Sequence, residues 1–109
     1  MTKRRIPPEL LQQHWMHSHE EDTETEMVFR PASYSFPRSR GRRSFELRAG
    51  GELIEGGPGP ADRREQSEGA WQLTEDGTLA FFRKAESAPH RVLTIASIAR
   101  DRLVVRKTR

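Results

Sequence analysis

From residue 13 onward the chain reads as short runs in which apolar side chains recur at alternate positions, each bounded by turn-forming residues. That period puts successive side chains on opposite faces of an extended strand and does not fit a long amphipathic helix. Eight runs are readable, at about 13–20, 26–30, 43–49, 52–55, 69–74, 78–83, 90–98 and 102–107. Phe45 and Leu47 alternate with Ser44, Glu46 and Arg48, and Trp71 and Leu73 alternate with Ala70 and Gln72. Pro31 stops the second run, and Ala49-Gly50-Gly51 turns the third into the fourth. Glu75-Asp76-Gly77 is the clearest hairpin signal, because Asp-Gly supplies the positive φ of a tight turn. Ahead of the strands, Pro7-Pro8-Glu9-Leu10-Leu11 fits one helical turn. Proline is tolerated at such a start, and Glu9 favours the N-terminal dipole.

This pattern predicts an all-β fold, a small antiparallel eight-stranded up-and-down barrel with a short N-terminal helical turn. A flattened sandwich is the competing arrangement. Barrel closure removes exposed strand edges, which suits a short chain. At 109 residues the expectation is one domain over 7–109, preceded by a disordered basic N-terminus over 1–6. In a meander, the connections at about 31–42, 56–68 and 84–89 share one end with the N-terminal turn. The linker Glu21–Thr25 then falls at the other, compact end.

Composition excludes several classes. There is no cysteine, so disulfides and thiolate metal sites are out and a reducing compartment is expected. No apolar run approaches the roughly 20 residues that span a bilayer. The opening MTKRRIPPELLQQ lacks the apolar core of a signal peptide. A cytoplasmic protein with no membrane partner is the expectation. Nineteen basic residues are offset by sixteen acidic ones, for a net charge of +3. Only Arg38–Arg43 forms a basic patch, so nucleic acid is not an expected partner.

Gly69-Ala70-Trp71-Gln72-Leu73, Asp76-Gly77-Thr78-Leu79, Ile95, Ile98 and Asp101-Arg102-Leu103-Val104-Val105 form a connected set with Leu11–Trp15. Together they resemble the small bacterial lipocalin-like domains of the calycin type, over most of residues 10–107. Gln13 stands where classical lipocalins carry a glycine before the first tryptophan. The resemblance implies an antiparallel barrel that either encloses a small apolar ligand or is simply filled. It also implies a basic residue near the end of the barrel packed over Trp15, with Arg106 and Arg109 as candidates.

Candidate chemistry concentrates in Gln13–Asp22, QHWMHSHEED. Alternation places Gln13, Trp15, His17 and His19 on one face. If Trp15 points inward, His17 and His19 follow it, as polar ligand contacts, as a proton acceptor, or as metal ligands with Glu21 or Glu55. The blander reading satisfies both histidines locally and leaves Glu20–Asp22 as solvated rim charges. The loop Pro31–Arg42 is long enough to act as a lid. In it Tyr34 and Phe36 either plug the barrel end or cover a cavity, with Arg40, Arg42 or Arg43 as an anion fork. Gly56–Pro60 reads as a connector, with Asp62 or Ser67 opening a short helical turn, and His90 reads as exposed. No activated nucleophile is visible, and no metal or cofactor is expected.

The function expected is a small-molecule binding module with a small, largely apolar or amphipathic ligand in the barrel. Trp15, Phe45, Trp71 and Phe81 would form its walls, His17 and His19 its polar contacts, and Tyr34, Phe36 and Arg42 its lid. The alternatives are a small barrel enzyme, isomerase or cyclase, built on His17 and His19, and an accessory protein-interaction module with a filled barrel. Phe82, Leu93 and Val104 are placed on an outer apolar face that would support a homodimer.

Overall fold

A computed structural model describes residues 6–38, 41–58 and 64–107. Its elements are α1 (Pro8–Leu11), β1 (His14–His17), a 3-10 turn (His19–Glu21), β2 (Glu26–Pro31), β3 (Ser44–Leu47) and β4 (Glu52–Pro58). They continue with β5 (Arg64–Leu73), β6 (Thr78–Arg83), β7 (Arg91–Ala99) and β8 (Arg102–Arg106). All eight anticipated strands form, and they close into one barrel in which each strand is antiparallel to both neighbours. The all-β barrel with strands alternating up and down around it is the fold the alternation predicts.

Period-two patterning fills the interior. Trp15 sits opposite Phe45, Trp71 opposite Phe81, Leu79 opposite Leu93, and Ile95 opposite Val105. These residues and Phe29, Leu47, Leu53 and Leu103 form a single buried cluster. The rings of Phe29, Phe45 and Phe81 pack in sequence, tilted and then edge-on, with centroids 4.9 and 5.0 Å apart. Such aromatic pairs add about 1 kcal/mol each beyond the area they bury.

The strand order is β1-β2-β8-β7-β6-β5-β4-β3, closing on β1. β1 therefore lies between β2 and β3, which run parallel to each other, and residues 32–43 travel from one end of the barrel to the other. This crossover reverses part of the end assignment made from a pure meander. α1 shares an end with the short turns at 48–51, 74–77 and 100–101. The acidic linker 18–25 instead shares the opposite end with the connection 84–90, where β4 ends and β5 begins.

The first of these ends is corked. Leu11 and Ile6 from the N-terminal segment enter the core cluster. The indole Nε1 of Trp15 donates to Leu11 O at 3.0 Å, and that of Trp71 to Arg48 O at 2.9 Å. Gln13 Nε2 ties Leu10 O to Arg100 O, 2.9 Å from each. Of the N-terminal stretch expected to be disordered, residues 1–5 lie outside the described residues, whereas Ile6 is buried.

Several local expectations change. β1 stops at His17, because Ser18 opens a 3-10 turn. Gly56–Pro58 extend β4 and residues 64–68 extend β5, so Ser67 is in a strand rather than a helical turn. Asp62 lies outside the described residues. Leu93 faces inward and is buried, so it cannot join Phe82 on an outer patch, and Val104 is 3% exposed. Arg106 is exposed and pairs across from Glu26, far from Trp15, while Arg109 lies outside the described residues.

Two glycines carry the local geometry. Gly77 takes φ +84°, as the Asp-Gly turn requires, and closes the loop between Thr74 and Thr78. At Gly69, an added Cβ would stand 2.0 Å from Phe82 O, a backbone atom of the neighbouring strand. The glycine of the Gly-x-Trp motif is thus required by close approach of β6. Gly69→Ala should destabilise the fold by about 3 kcal/mol, the upper range for forced overpacking, read as a lowered urea midpoint. An unchanged midpoint would show that the strands part freely at this point.

Candidate functional site at the barrel mouth

The acidic turn beyond β1 is not a solvated rim. Arg42 donates from Nη1 to Glu20 Oε1 at 2.8 Å and from Nη2 to Oε2 at 2.6 Å. The same guanidinium bonds His17 O and Pro37 O. Arg30 holds Glu21 in the same two-pronged way, at 2.8 and 2.7 Å, and Ser18 Oγ adds a third bond at 2.7 Å. Asp22 accepts from Val28 N at 2.9 Å, with His17 Nε2 2.9 Å from its Oδ2.

These bonds shift the carboxyls. The Arg42 hydrogen bonds hold Glu20 down from 4.5 to about 2, against a smaller opposing effect of desolvation. Arg30, aided by Ser18, does the same for Glu21, also to about 2. A carboxyl whose pKa is depressed on folding contributes stability that is complete above its unfolded value. That contribution disappears as pH falls from about 4.5 toward 2. Thermal melts across this window should show the wild type losing stability more steeply than the double variant Glu20→Gln, Glu21→Gln. Parallel pH profiles would remove these two groups from the account.

The sequence-derived candidates separate into an interior group and an outer group. Trp15, Phe45, Trp71 and Phe81 are core, and His17 lies against Phe29 with ring centroids 5.1 Å apart. His19 leaves the strand face; its side chain is 48% exposed and its ring is 6.0 Å from that of His17. Tyr34, Phe36 and Arg42 lie on the outer side of the barrel rather than over an opening. Arg30, whose neighbour Phe29 is the inward residue, stacks on Tyr34 at 4.7 Å, and Arg42 stacks on Phe36 at 4.6 Å. Arg40 lies outside the described residues. Among the described residues, no group of three or more His, Asp and Glu side chains is placed to hold a metal ion.

A different set of residues surrounds open space. At the uncorked end a cavity of about 440 Å³ is lined by Arg43, Glu55, Ser67, Arg83, His90 and Arg91, with the backbone of Gly56 and Gly57. Each of these chain segments supplies a polar residue two positions beyond an inward-facing residue of its strand. Arg43 precedes Phe45, Glu55 follows Leu53, Ser67 precedes Gly69, Arg83 follows Phe81, and Arg91 precedes Leu93. The alternation therefore continues past the core, and the inward face changes from apolar to charged. His90 is half-buried rather than exposed, with Nε2 2.7 Å from Glu55 Oε1. Its Nδ1 is buried without a hydrogen-bond partner among the described residues.

Arg91 is half-buried, and burial lowers its pKa, with Glu55 opposing and Arg43 adding to that effect. No hydrogen bond or ion pair is formed by the guanidinium of Arg43, Arg83 or Arg91 among the described residues. Glu55 and Arg43 did figure in the sequence reading, as a metal ligand and a lid cation respectively. The inward parity beyond each anchor is the signal that would have gathered the whole set.

No family model, curated protein or solved structure matches the chain.

Proposed function

We propose that the protein is a small-molecule binding module whose ligand occupies the mouth of the barrel. The observation that carries this reading is the 440 Å³ cavity at the end opposite the one that Leu11 and Ile6 cork. Ligand pockets commonly fall between about 300 and 1,000 Å³ and frequently occupy the mouths of β-barrels. The interior below is filled by Trp15, Phe29, Phe45, Phe81 and their neighbours, which supports a ligand seated above the core. The lipocalin-like resemblance agrees with a barrel that presents its ligand at an open end, although the crossover between β2 and β3 departs from a simple meander. No helix among the described residues is long and apolar enough to cross a membrane.

A second reading, the small barrel enzyme, draws support from the Glu55–His90 pair. A carboxylate 2.7 Å from one ring nitrogen orients an imidazole within a cavity, which is the arrangement an acid–base residue needs. On this reading the chemistry belongs to His90 rather than to His17 or His19.

Screening the full chain against a library of small metabolites by amide NMR tests the binding reading. Bound compounds should shift the amides of Glu55, Ser67, His90 and Arg91 together. Shifts confined to the α1 end or to the Tyr34–Phe36 surface would overturn it.

A further inference from the structure

The mouth cavity contains three guanidinium groups and one carboxylate among its described side chains. Elsewhere the barrel pairs its partly buried arginines with care. Arg30 and Arg42 each hold a carboxylate through two hydrogen bonds and stack on an aromatic ring. Among the described residues Arg91 has neither kind of partner, although it is half-buried and faces the interior two residues before Leu93. A half-buried guanidinium whose charge burial disfavours and that makes no hydrogen bond among the described residues, in a chain that pairs Arg30 and Arg42 so closely, marks a place for an external anion. Glu55 attracts the Arg91 charge, but its carboxylate is engaged with His90.

Building on the reading that the mouth is the ligand site, we infer that the ligand is a small organic oxyanion, a carboxylate or phosphate ester. Its anionic group is anchored by Arg91 with Arg43 beside it. Guanidinium groups suit this task because their planar fork matches two oxygens at once. The volume argues for an organic body on the anion. A water molecule takes about 30 Å³ of liquid, so 440 Å³ far exceeds what a bare phosphate ion fills. Ser67 lines the same cavity and supplies a neutral hydroxyl for that body, and Gly56 and Gly57 leave room for it.

Calorimetric titration of the full chain with citrate, glycerol 3-phosphate, inorganic phosphate and glycerol tests the inference. At least one of the two organic anions should bind, and more tightly than inorganic phosphate or glycerol. Citrate alone would identify a carboxylate site, and glycerol 3-phosphate alone a phosphate-ester site. Binding should weaken tenfold or more in Arg91→Met and stay within twofold in Arg106→Gln, an exposed position on β8. Should Arg91→Met fail to fold, Arg43→Gln at an exposed position repeats the comparison. Equal binding by wild type and the mouth variant, or equal loss in Arg106→Gln, overturns the inference, as does inorganic phosphate binding as tightly as the organic anions. If neutral compounds from the metabolite screen occupy the mouth while neither organic anion does, the anion inference falls and the binding module stands. If nothing occupies the mouth, both fall.

Discussion

A closed circuit of side chains holds the crossover of this barrel in place. Glu20 bonds Arg42, Arg42 stacks on Phe36, Phe36 packs edge-on against Tyr34, Tyr34 lies under Arg30, and Arg30 bonds Glu21. The backbone of the 3-10 turn joins Glu21 to Glu20 and completes the loop. Exposed ion pairs usually contribute less than about 1 kcal/mol. These differ because the Arg42 side chain is 5% exposed and that of Arg30 is 15%, and each binds its carboxylate through two hydrogen bonds. The circuit spans β2, the crossover segment and the turn after β1, the three pieces whose relative placement sets the strand order.

Everything at the two ends follows from that order. With β1 inserted between β2 and β3, the N-terminal segment arrives at the end with the tight turns and drops Leu11 and Ile6 into the core there. Among the described residues the opposite end has no such plug. Its inward positions are therefore free to be polar, and β3, β4, β5, β6 and β7 all use them that way. The aromatic cluster of Phe29, Phe45 and Phe81 lies between these two regimes, so charged mouth residues stand next to a dry core. In that setting an arginine without a partner interacts more strongly with an incoming anion than it would in water.

The barrel itself was legible because alternation and turn chemistry are local. Trp71 and Leu73, the Asp76-Gly77 hairpin and the proline after Arg30 each announced their element within a few residues. The crossover was not legible, since the contacts that accompany the pairing of β1 with β3 join residues far apart in sequence, Arg42 meeting Glu20 across 22 positions. That contact also removed Tyr34, Phe36 and Arg42 from the lid role assigned to them. His19 failed as an inward residue for a smaller reason, the 3-10 turn opening one residue earlier at Ser18. The runs at about 43–49 and 90–98 take in Arg43 and Arg91, and Ser67 reads as part of a connector, but nothing local says that these side chains face one space. They become meaningful only once closure shows that their side chains converge.

Amide hydrogen exchange in an Arg42→Gln variant addresses the role of the circuit directly. In the wild type the His17 amide donates to Arg43 O at 2.8 Å, and the Ala32 amide to His14 O at 2.9 Å, at the two ends of the crossover. If the circuit holds the crossover, both amides should exchange at least tenfold faster in the variant, while amides of β5, β6 and β7 keep their protection. Unchanged exchange at His17 and Ala32 would contradict the account, as would an equal rise in all strands.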